Sequence, residues 1–358
     1  MKTNVKLIIK NVKLTIKTVL IAVITCVFQG ITFAQEEKEL STLLEISGSV
    51  DVYYRSNLNA SNNAGQGAPA PTSSFANLPG FSLGMANLIV SKSGEKAGFA
   101  ADIVLGPRGN DAVFGSTEGS SPIVNQLYAY WDVSRSTTLT MGNFNTFLGY
   151  EVISPTGNYH YSTSYMFSYG PFSHTGVKAD FTFRDFSLMT AIMNTTDATE
   201  FSPDGRYLGG IQLGYKEAFL NFLFDDNFFQ ADLTAGKDLS DKFYLGVNAT
   251  TASGNFHGGA LYLQNSFSDD FSLGLRGEYF SDEGAAALGF DTTGDGDANA
   301  FAKNVIDLTL SANYSVGDLT FIPELRVDMY NEDVVMSATR ESLQSSISSF
   351  VLAAVYSF

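Results

Sequence analysis

The chain has 358 residues, a formal net charge of −16, 16% charged residues and 13% aromatic residues. It is too aromatic and too weakly charged to be disordered, and its acidic balance disfavours a nucleic-acid binder. The only long apolar run lies at the N-terminus, so a helical membrane protein is also disfavoured.

Residues 1–34 have the pattern of a secretory signal peptide. Five lysines precede an apolar core from Val19 to Phe28, and the sequence that ends at Ala34 resembles a cleavage site. A retained membrane anchor is the alternative, although the core is shorter than a bilayer span. We expect residues 35–42 to form a short periplasmic segment. Because Cys26 is the only cysteine, the mature chain would have no disulfide to stabilise it.

The rest of the chain, residues 43–358, predicts an all-β fold. Segments of about 8–13 residues alternate between apolar and polar side chains, as strands with one wet and one apolar face do. The pattern is clearest over residues 44–54 and recurs over 271–280 and 306–314. Such a run of strands without amphipathic helices indicates a single β-sheet architecture.

Three places in the strand pattern carry further information. Pro323 interrupts an apolar face, where it would forfeit a ladder hydrogen bond, so we expect a β-bulge there. The segments around 219–224 and 228–235 alternate poorly and have the weakest strand signal. The last strand ends at Phe358 and resembles the C-terminal signature by which the barrel-insertion machinery recognises outer-membrane barrels.

Short turns alternate with longer polar connections. The short turns fall near residues 93–96, 134–136, 184–185, 216–217, 237–241, 266–270 and 315–317, and the long connections near 57–80, 107–123, 148–172, 194–205, 281–302 and 331–346. With about 16 strands, this layout is typical of a transmembrane antiparallel up-and-down β-barrel with short periplasmic turns and longer external loops. A soluble β-sandwich is the alternative, but it would not need this alternation.

The physical setting explains why such a sheet would close. Lipid offers no water to pair with backbone groups, so the sheet must pair with itself. Its apolar face would then contact outer-membrane lipid and lipopolysaccharide, and its polar face would line the lumen. A barrel of about 16 strands is too wide for side chains alone to fill, so a water-filled channel is expected.

The third long connection, residues 148–172, is unusually aromatic for a loop that faces water. Exposed aromatic loops usually fold onto another surface, and in a wide barrel the lumen is available. We therefore expect the loop to fold inward and narrow the pore, and a packed external cap is the alternative. Its constriction candidates are Glu151, His160, Tyr161 and Tyr165.

Charged residues on the polar faces of the predicted strands are the other pore-lining candidates. They are Arg276, Glu278, Glu324, Arg326 and Asp328, together with Glu45, Asp51 and Asp307. Both signs occur along one face, so these residues would create a transverse field or, alternatively, form buried ion pairs that stiffen the wall. The acidic balance predicts a preference for cations.

Little in the sequence points to catalysis. The only histidines are His160, His174 and His257, and the neighbours Ser173 and His174 would point to opposite faces of a strand. We predict no catalytic residue.

One loop has the composition of a cation site. Asp291, Asp295 and Asp297 are clustered among glycines, and carboxylate oxygens are preferred ligands of Ca²⁺. A solvated surface loop is the alternative. No other metal or cofactor is predicted.

Three stretches resemble a known family. They are GNFNTFLGYEVI at 142–153, NYHYS at 158–162 and GPFSHTGV at 170–177. They are similar to the outer-membrane β-barrel porin family, the OmpL-like porins of Gram-negative bacteria, most specifically over residues 137–183. The resemblance implies a barrel in the outer membrane and carries over neither a substrate nor a catalytic residue.

The sequence therefore predicts an outer-membrane porin, not an enzyme. It would form a water-filled channel for the passive diffusion of small hydrophilic solutes or ions. A plugged barrel that acts as a binding or scaffold protein is one alternative, and a barrel hydrolase is another. A homo-oligomer is also possible.

Overall fold

The structure is a computed structural model that describes residues 44–293 and 297–358. The predicted signal peptide, the predicted periplasmic segment and Asp295 lie outside the described residues. Sixteen antiparallel strands form one closed barrel. They are β1 (Glu45–Asn57), β2 (Gly80–Ser93), β3 (Ala97–Leu105), β4 (Val124–Ser134), β5 (Thr137–Asn145), β6 (Ser173–Phe183), β7 (Phe186–Met193), β8 (Leu208–Tyr215), β9 (Ala218–Phe224), β10 (Phe229–Ser240), β11 (Phe243–Ala252), β12 (Phe256–Ser266), β13 (Phe271–Asp282), β14 (Asn304–Val316), β15 (Leu319–Tyr330) and β16 (Ser346–Ser357).

Smaller elements lie in the long connections. Two short helices are present, α1 (Pro107–Ala112) and α2 (Tyr165–Tyr169), together with single 3-10 turns at Ala64–Gln66, Ser121–Ile123 and Pro155–Gly157. Two-residue strands pair Gly289–Phe290 with Ala300–Phe301 and Val335–Met336 with Leu343–Gln344. Among the described residues, no helix is long and apolar enough to cross a membrane.

Every barrel strand pairs with its neighbours in the chain, and β1 pairs with β16 to complete the circle. This closing ladder runs from Ser49 opposite Ser357 to Asn57 opposite Ser349. A closed sheet leaves no strand edge unpaired, which is the condition for β-structure in lipid. The predicted closed antiparallel barrel and its strand number are confirmed.

The connections alternate as the sequence predicts. Turns of two to four residues join β2 to β3, β4 to β5 and each later pair on the same side, whereas the opposite side has connections at 58–79, 106–123, 146–172, 194–207, 283–303 and 331–345. On this second side, only 225–228 and 253–255 are short. We call the two ends of the barrel the short-turn side and the long-loop side.

The strand side chains alternate between the outside and the lumen. On β14, Ile306 and Leu308 are 46% and 45% exposed and point outward, whereas Asp307 and Thr309 are fully buried and point inward. A row of exposed apolar side chains on a closed barrel is suited to lipid.

The predicted β-bulge at Pro323 is wrong. Pairing between β14 and β15 is interrupted near this residue, but the register before and after the interruption is the same, from Ser311 opposite Glu324 to Tyr314 opposite Phe321. The pairing with β16 continues through Pro323 without a shift. Proline lacks only its N–H donor, so one ladder bond is lost without an inserted residue. Register shifts occur instead at 50/52, 102/103, 132/134 and 238/240.

The buried core lies in the lumen and not between two sheets. Residues 146–172, which we call the lumen segment, contribute to all four clusters of buried apolar side chains. Tyr165 belongs to the first cluster, Phe167 to the second, Tyr161 to the third and Leu148 to the fourth. Because these clusters lie on different parts of the wall, the segment crosses the lumen.

Candidate functional site

All nine predicted pore residues lie at the contact between the lumen segment and the wall. The four from the segment are at most 5% exposed, and the five from the wall at most 2%. They therefore face each other and not open water. Of the further strand candidates, Asp51 and Asp307 are buried in the same region, whereas Glu45 is exposed at the start of β1.

Carboxylates of the barrel wall bind backbone N–H groups of the lumen segment. Glu324 accepts hydrogen bonds from the N–H groups of Tyr161 and Ser162, at 3.0 and 3.3 Å. Glu278 accepts from Tyr165 and Met166, each at 2.8 Å, at the first turn of α2. A buried N–H without a partner is costly, so these carboxylates replace the pairing that an irregular segment lacks.

Glu151 serves the same purpose from within the lumen segment. Its carboxylate accepts the N–H group of Ser164 at 2.7 Å. Ser164 is in turn the N-cap of α2, since its side chain accepts the N–H group of Phe167 at 3.1 Å. The cap and the carboxylates together satisfy the first N–H groups of a helix that has only five residues.

Arginines bind the carbonyl oxygens of the same stretch. Arg276 donates to the carbonyl of Ser162 at 2.8 Å, and Arg326 donates to that of Thr163 at 2.9 Å. Arg108, in α1, donates to the carbonyls of Ile153 and Tyr161 at 2.9 and 3.2 Å. Acids thus bind the N–H groups and arginines bind the C=O groups, which allows non-helical backbone to lie at membrane depth.

Ion pairs join the same residues. Arg276 pairs with Glu151 at 2.7 Å and with Asp307 at 2.8 Å. Arg326 pairs with Asp328 at 2.7 Å and lies 3.6 Å from Asp307. Of the two roles that the sequence leaves open, this geometry fits buried ion pairs, because both guanidinium groups are enclosed by carboxylates and segment backbone.

Tyrosines of the lumen segment reach across to several strands. The Tyr161 hydroxyl donates to Asp51 at 2.6 Å, and the Tyr165 hydroxyl donates to Asp328 at 2.8 Å. Tyr150 stacks on Tyr262 of β12 with ring centroids 4.1 Å apart. The aromatic composition that predicts an inward loop therefore corresponds to contacts with β1, β12 and β15.

Inward-facing glycines make room for these rings. A Cβ at Gly84 would overlap the Asp51 carboxylate and lie 2.8 Å from the Tyr161 hydroxyl. A Cβ at Gly274 would overlap the ring of Tyr159. Further wall glycines face the segment in the same way, namely Gly210, Gly246 and Gly258. Part of the high glycine content of 33 residues thus serves close packing inside the lumen.

The histidines do not form a catalytic arrangement. The Ser311 hydroxyl donates to Glu324 at 2.9 Å and is 2.7 Å from Nδ1 of His160, so His160 acts as the donor in that contact. A general base would have to accept the serine proton instead. His174 bonds Thr146 at the start of the lumen segment, and His257 is exposed beside Glu283.

Sequence reasoning missed two groups that hold the segment. One is Arg108, because no sequence pattern places α1 against the segment. The other is Asp232, which accepts hydrogen bonds from the N–H group of Gly149 at 2.9 Å and from the side-chain amides of Asn221 and Asn248 at 2.9 and 2.7 Å. An acidic residue on a lumen face, with asparagines on both neighbouring strands, could have indicated this site. The asparagines can be recognised as its neighbours only when the register between the strands is known.

Two cavities lie on the short-turn side of the lumen segment. The larger, about 520 Å³, is lined by residues of β4 to β6, including Asp132, Lys178 and Asp180. The other, about 440 Å³, is lined by the start of the segment and by β8 to β11, including Lys216. Phe147 lines both. These two cavities are open space in the lumen beside the segment.

The described residues do not complete a cation site at the predicted calcium loop. Asp295 lies outside them, and the side chain of Asp291 accepts hydrogen bonds from the backbone and hydroxyl of Thr293. Within 44–293 and 297–358, no group of three or more metal-binding side chains is present. Calcium binding at this loop stays a prediction.

A closed sixteen-strand barrel with an apolar exterior and a charged, loop-filled interior belongs to the class of outer-membrane β-barrels. The family model described as "Putative beta-barrel porin-2, OmpL-like" matches residues 43–358, and the chain belongs to that family. The predicted resemblance is thus confirmed. Among curated proteins, none matches the chain significantly in sequence.

Solved porin structures are similar in fold. The trimer form of OmpT from Vibrio cholerae is 11% identical with a TM-score of 0.50, over 88% of this chain and 99% of that chain. The anion-selective porin from Comamonas acidovorans is 10% identical with a TM-score of 0.50, also over 88% and 99%. At such low identities, the similarity shows the fold alone.

Proposed function

We propose that the protein is a porin of a Gram-negative outer membrane that allows small hydrophilic solutes or ions to diffuse passively, and that it is not an enzyme. The observation that carries this proposal is the charged inward face of a closed barrel whose outward face is apolar. Only a barrel that contacts lipid on the outside and water or polar groups on the inside needs this distribution.

The lumen segment would limit conduction. In the described conformation, its backbone is bound by Glu278, Glu324, Arg276 and Arg326 of the wall. Phe147 of the segment lines both cavities, so movement of this part of the segment would change the width of the path. This supports a narrow or gated porin and not a permanently wide one.

A plugged barrel that acts as a binding or scaffold protein is the second candidate. It is favoured by the burial of the ion pairs that hold the segment, since Arg276 and Asp307 are fully buried. Such a barrel would keep its segment in place and conduct no current. Conductance therefore distinguishes the two candidates.

The expected partners follow from the fold. Outer-membrane lipid and lipopolysaccharide would contact the outer face, and the barrel-insertion machinery would bind the strand that ends at Phe358. This residue is 56% exposed, and its backbone exchanges two hydrogen bonds of 3.0 Å with Gly48. The trimer form of the OmpT relative motivates the proposal of a homo-oligomer, which cross-linking in native membranes would detect.

The test is single-channel recording in planar bilayers. The wild type is compared with a variant in which residues 151–169 are replaced by a short glycine-serine linker, and with a control that lacks the external turn 338–341. We expect small or brief currents for the wild type and the control, and a larger steady current for the segment variant. A wild type that conducts no current, beside a folded segment variant that does, would indicate the plugged barrel and contradict the porin function.

A further inference from the structure

The lumen wall has an apolar sector that lies away from the buried ion pairs. On β7 to β9, the inward-facing side chains Met193, Leu208 and Leu223 are buried, whereas β13 to β15 carry the buried ion pairs. Phe147 and Leu148 of the lumen segment pack against this sector. We call these five residues the apolar contact. This apolar contact explains why apolar and polar side chains alternate only weakly around 219–224, since both faces of β9 carry apolar side chains.

The apolar contact lies between the two cavities and the long-loop side. Met193 ends β7, Leu208 begins β8 and Leu223 lies next to the end of β9, all at the long-loop side. The cavities extend the other way, towards the short turns at 135–136, 184–185 and 216–217. Phe147 lines both cavities, and its ring is so close to Gly210 of β8 that a Cβ there would lie 2.9 Å from the ring.

At its start, the segment is bound by hydrogen bonds and ring contacts and not by ion pairs. Near Phe147, it is held by a 3.2 Å hydrogen bond from Gln212 to the Phe147 carbonyl, by the Gly149 N–H group on Asp232 and by the 3.0 Å contact between Thr146 and His174. Gly149 has a positive φ of 87°, and nothing lies within 4 Å of the position of a Cβ. By contrast, the stretch 161–166 is held by the buried carboxylates and arginines. Residues 147–149 can therefore shift without breaking an ion pair beside the stretch 161–166, which we call the charged anchor.

We propose that solutes cross the barrel along the β4 to β10 wall, and that the side chain of Phe147 is the apolar gate of this path. A narrow apolar constriction excludes water and ions until it widens or becomes polar. Displacing the Phe147 ring would open both cavities towards the long-loop side without breaking any ion pair of the charged anchor. This inference rests on the proposed porin function.

The experiment compares two phenylalanines of the same segment. Phe147→Ala shortens the proposed gate, and Phe167→Ala is the matched control, because Phe167 packs against Phe75 and Phe172 in a different cluster. Both variants are refolded, checked for the heat-modifiable gel mobility of a folded barrel, and recorded in planar bilayers. We expect Phe147→Ala to raise the single-channel conductance about twofold, since it opens two cavities of similar size towards the long-loop side, and Phe167→Ala to leave it unchanged.

A wall variant tests the gate without altering the segment. Leu223→Asn places a polar side chain in the apolar contact and should also raise the conductance or the open probability. Equal effects of Phe147→Ala and Phe167→Ala would overturn the gate, because they would indicate general loosening of the segment. Wild-type conductance in both Phe147→Ala and Leu223→Asn would also overturn it. If the wild type itself conducts in these recordings, the porin function stands and the gate alone fails.

Discussion

Arg276 of the barrel wall donates a hydrogen bond of 2.8 Å to the backbone carbonyl of Ser162 in the lumen segment. The donor is fully buried, and the acceptor belongs to a stretch without regular secondary structure. This contact represents the main feature of the molecule, in which charged wall side chains replace the backbone partners that a helix or sheet would have supplied.

Glu278→Gln should loosen α2. The carboxylate accepts two N–H groups with two oxygens, whereas glutamine has one carbonyl oxygen and an amide that donates. One buried N–H group would lose its partner, which costs about 1–3 kcal/mol. Urea unfolding of the protein in lipid vesicles measures the loss. Glu45→Gln, at the exposed start of β1, is the control and should unfold like the wild type.

Arg326→Met should be more damaging, because it leaves Asp328 buried without its counter-charge and removes one of the two arginines beside Asp307. Removing one partner from a buried ion pair typically costs about 3–5 kcal/mol. Adding Asp328→Asn should recover part of the loss. The surface variant Arg206→Met should not change the unfolding midpoint measurably. A small effect of Arg326→Met, equal to that of Arg206→Met, would show that the ion pairs do not hold the segment.

The stability of the contact that holds the end of the lumen segment should depend on pH. Asp197, in the connection after β7, accepts the N–H groups of Phe172 and Ser173 at 2.9 Å each. Burial raises the pKa of its carboxyl from 3.8 to about 6, against the lowering effect of those two hydrogen bonds. Because the pKa is raised in the folded protein, the contact between Asp197 and residues 172–173 is more stable when the carboxyl is protonated. This contact is therefore most stable below pH 4 and loses stability as the pH rises to about 6.

Hydrogen exchange tests this dependence. After correction for intrinsic exchange rates, the amides of Phe172 and Ser173 should be more protected at pH 4.5 than at pH 7. Asp197→Asn should remove the difference. Protection that increases with pH in the wild type would contradict the assignment.

Cations should permeate better than anions. One cavity is lined by Asp132, Lys178 and Asp180, which sum to one negative charge. The other is lined by Glu151, Lys216, Glu217 and Asp238, which sum to two negative charges. Charges along a pore bias the passing ions. The reversal potential under a salt gradient should show a cation preference that Asp132→Asn with Asp238→Asn reduces. An anion preference in the wild type would refute the prediction.

The alternation of side chains and connection lengths allowed the barrel to be predicted from the sequence, because both follow from lipid outside and polar groups inside. The number of strands and nearly all long connections were recognisable for that reason. The exception, Pro323, shows that a residue type can disturb hydrogen bonding without disturbing the register. Periodicity at 219–224 was weak because an inward side chain, Leu223, is also apolar.

Individual partners could not be predicted. The sequence identified Arg276 and Glu278 as neighbours on one face, yet Arg276 pairs with Asp307 from the next strand and Glu278 binds the backbone of the lumen segment. Such pairings depend on the register between strands and on the path of an irregular loop. Neither is encoded by a local pattern, and the same holds for the glycines that accommodate the segment's tyrosines.

Photo-cross-linking from position 161 tests the central claim most directly. A benzophenone amino acid in place of Tyr161 would lie next to Tyr53 of β1, whose ring centroid is 5.5 Å from that of Tyr161, and next to Gly84 of β2. The account predicts intramolecular cross-links to peptides from β1 and β2, identified by mass spectrometry of the protein in native outer membranes. Cross-links to lipopolysaccharide or to a second chain, with none to β1 or β2, would show that the segment caps the barrel from outside and would contradict the account.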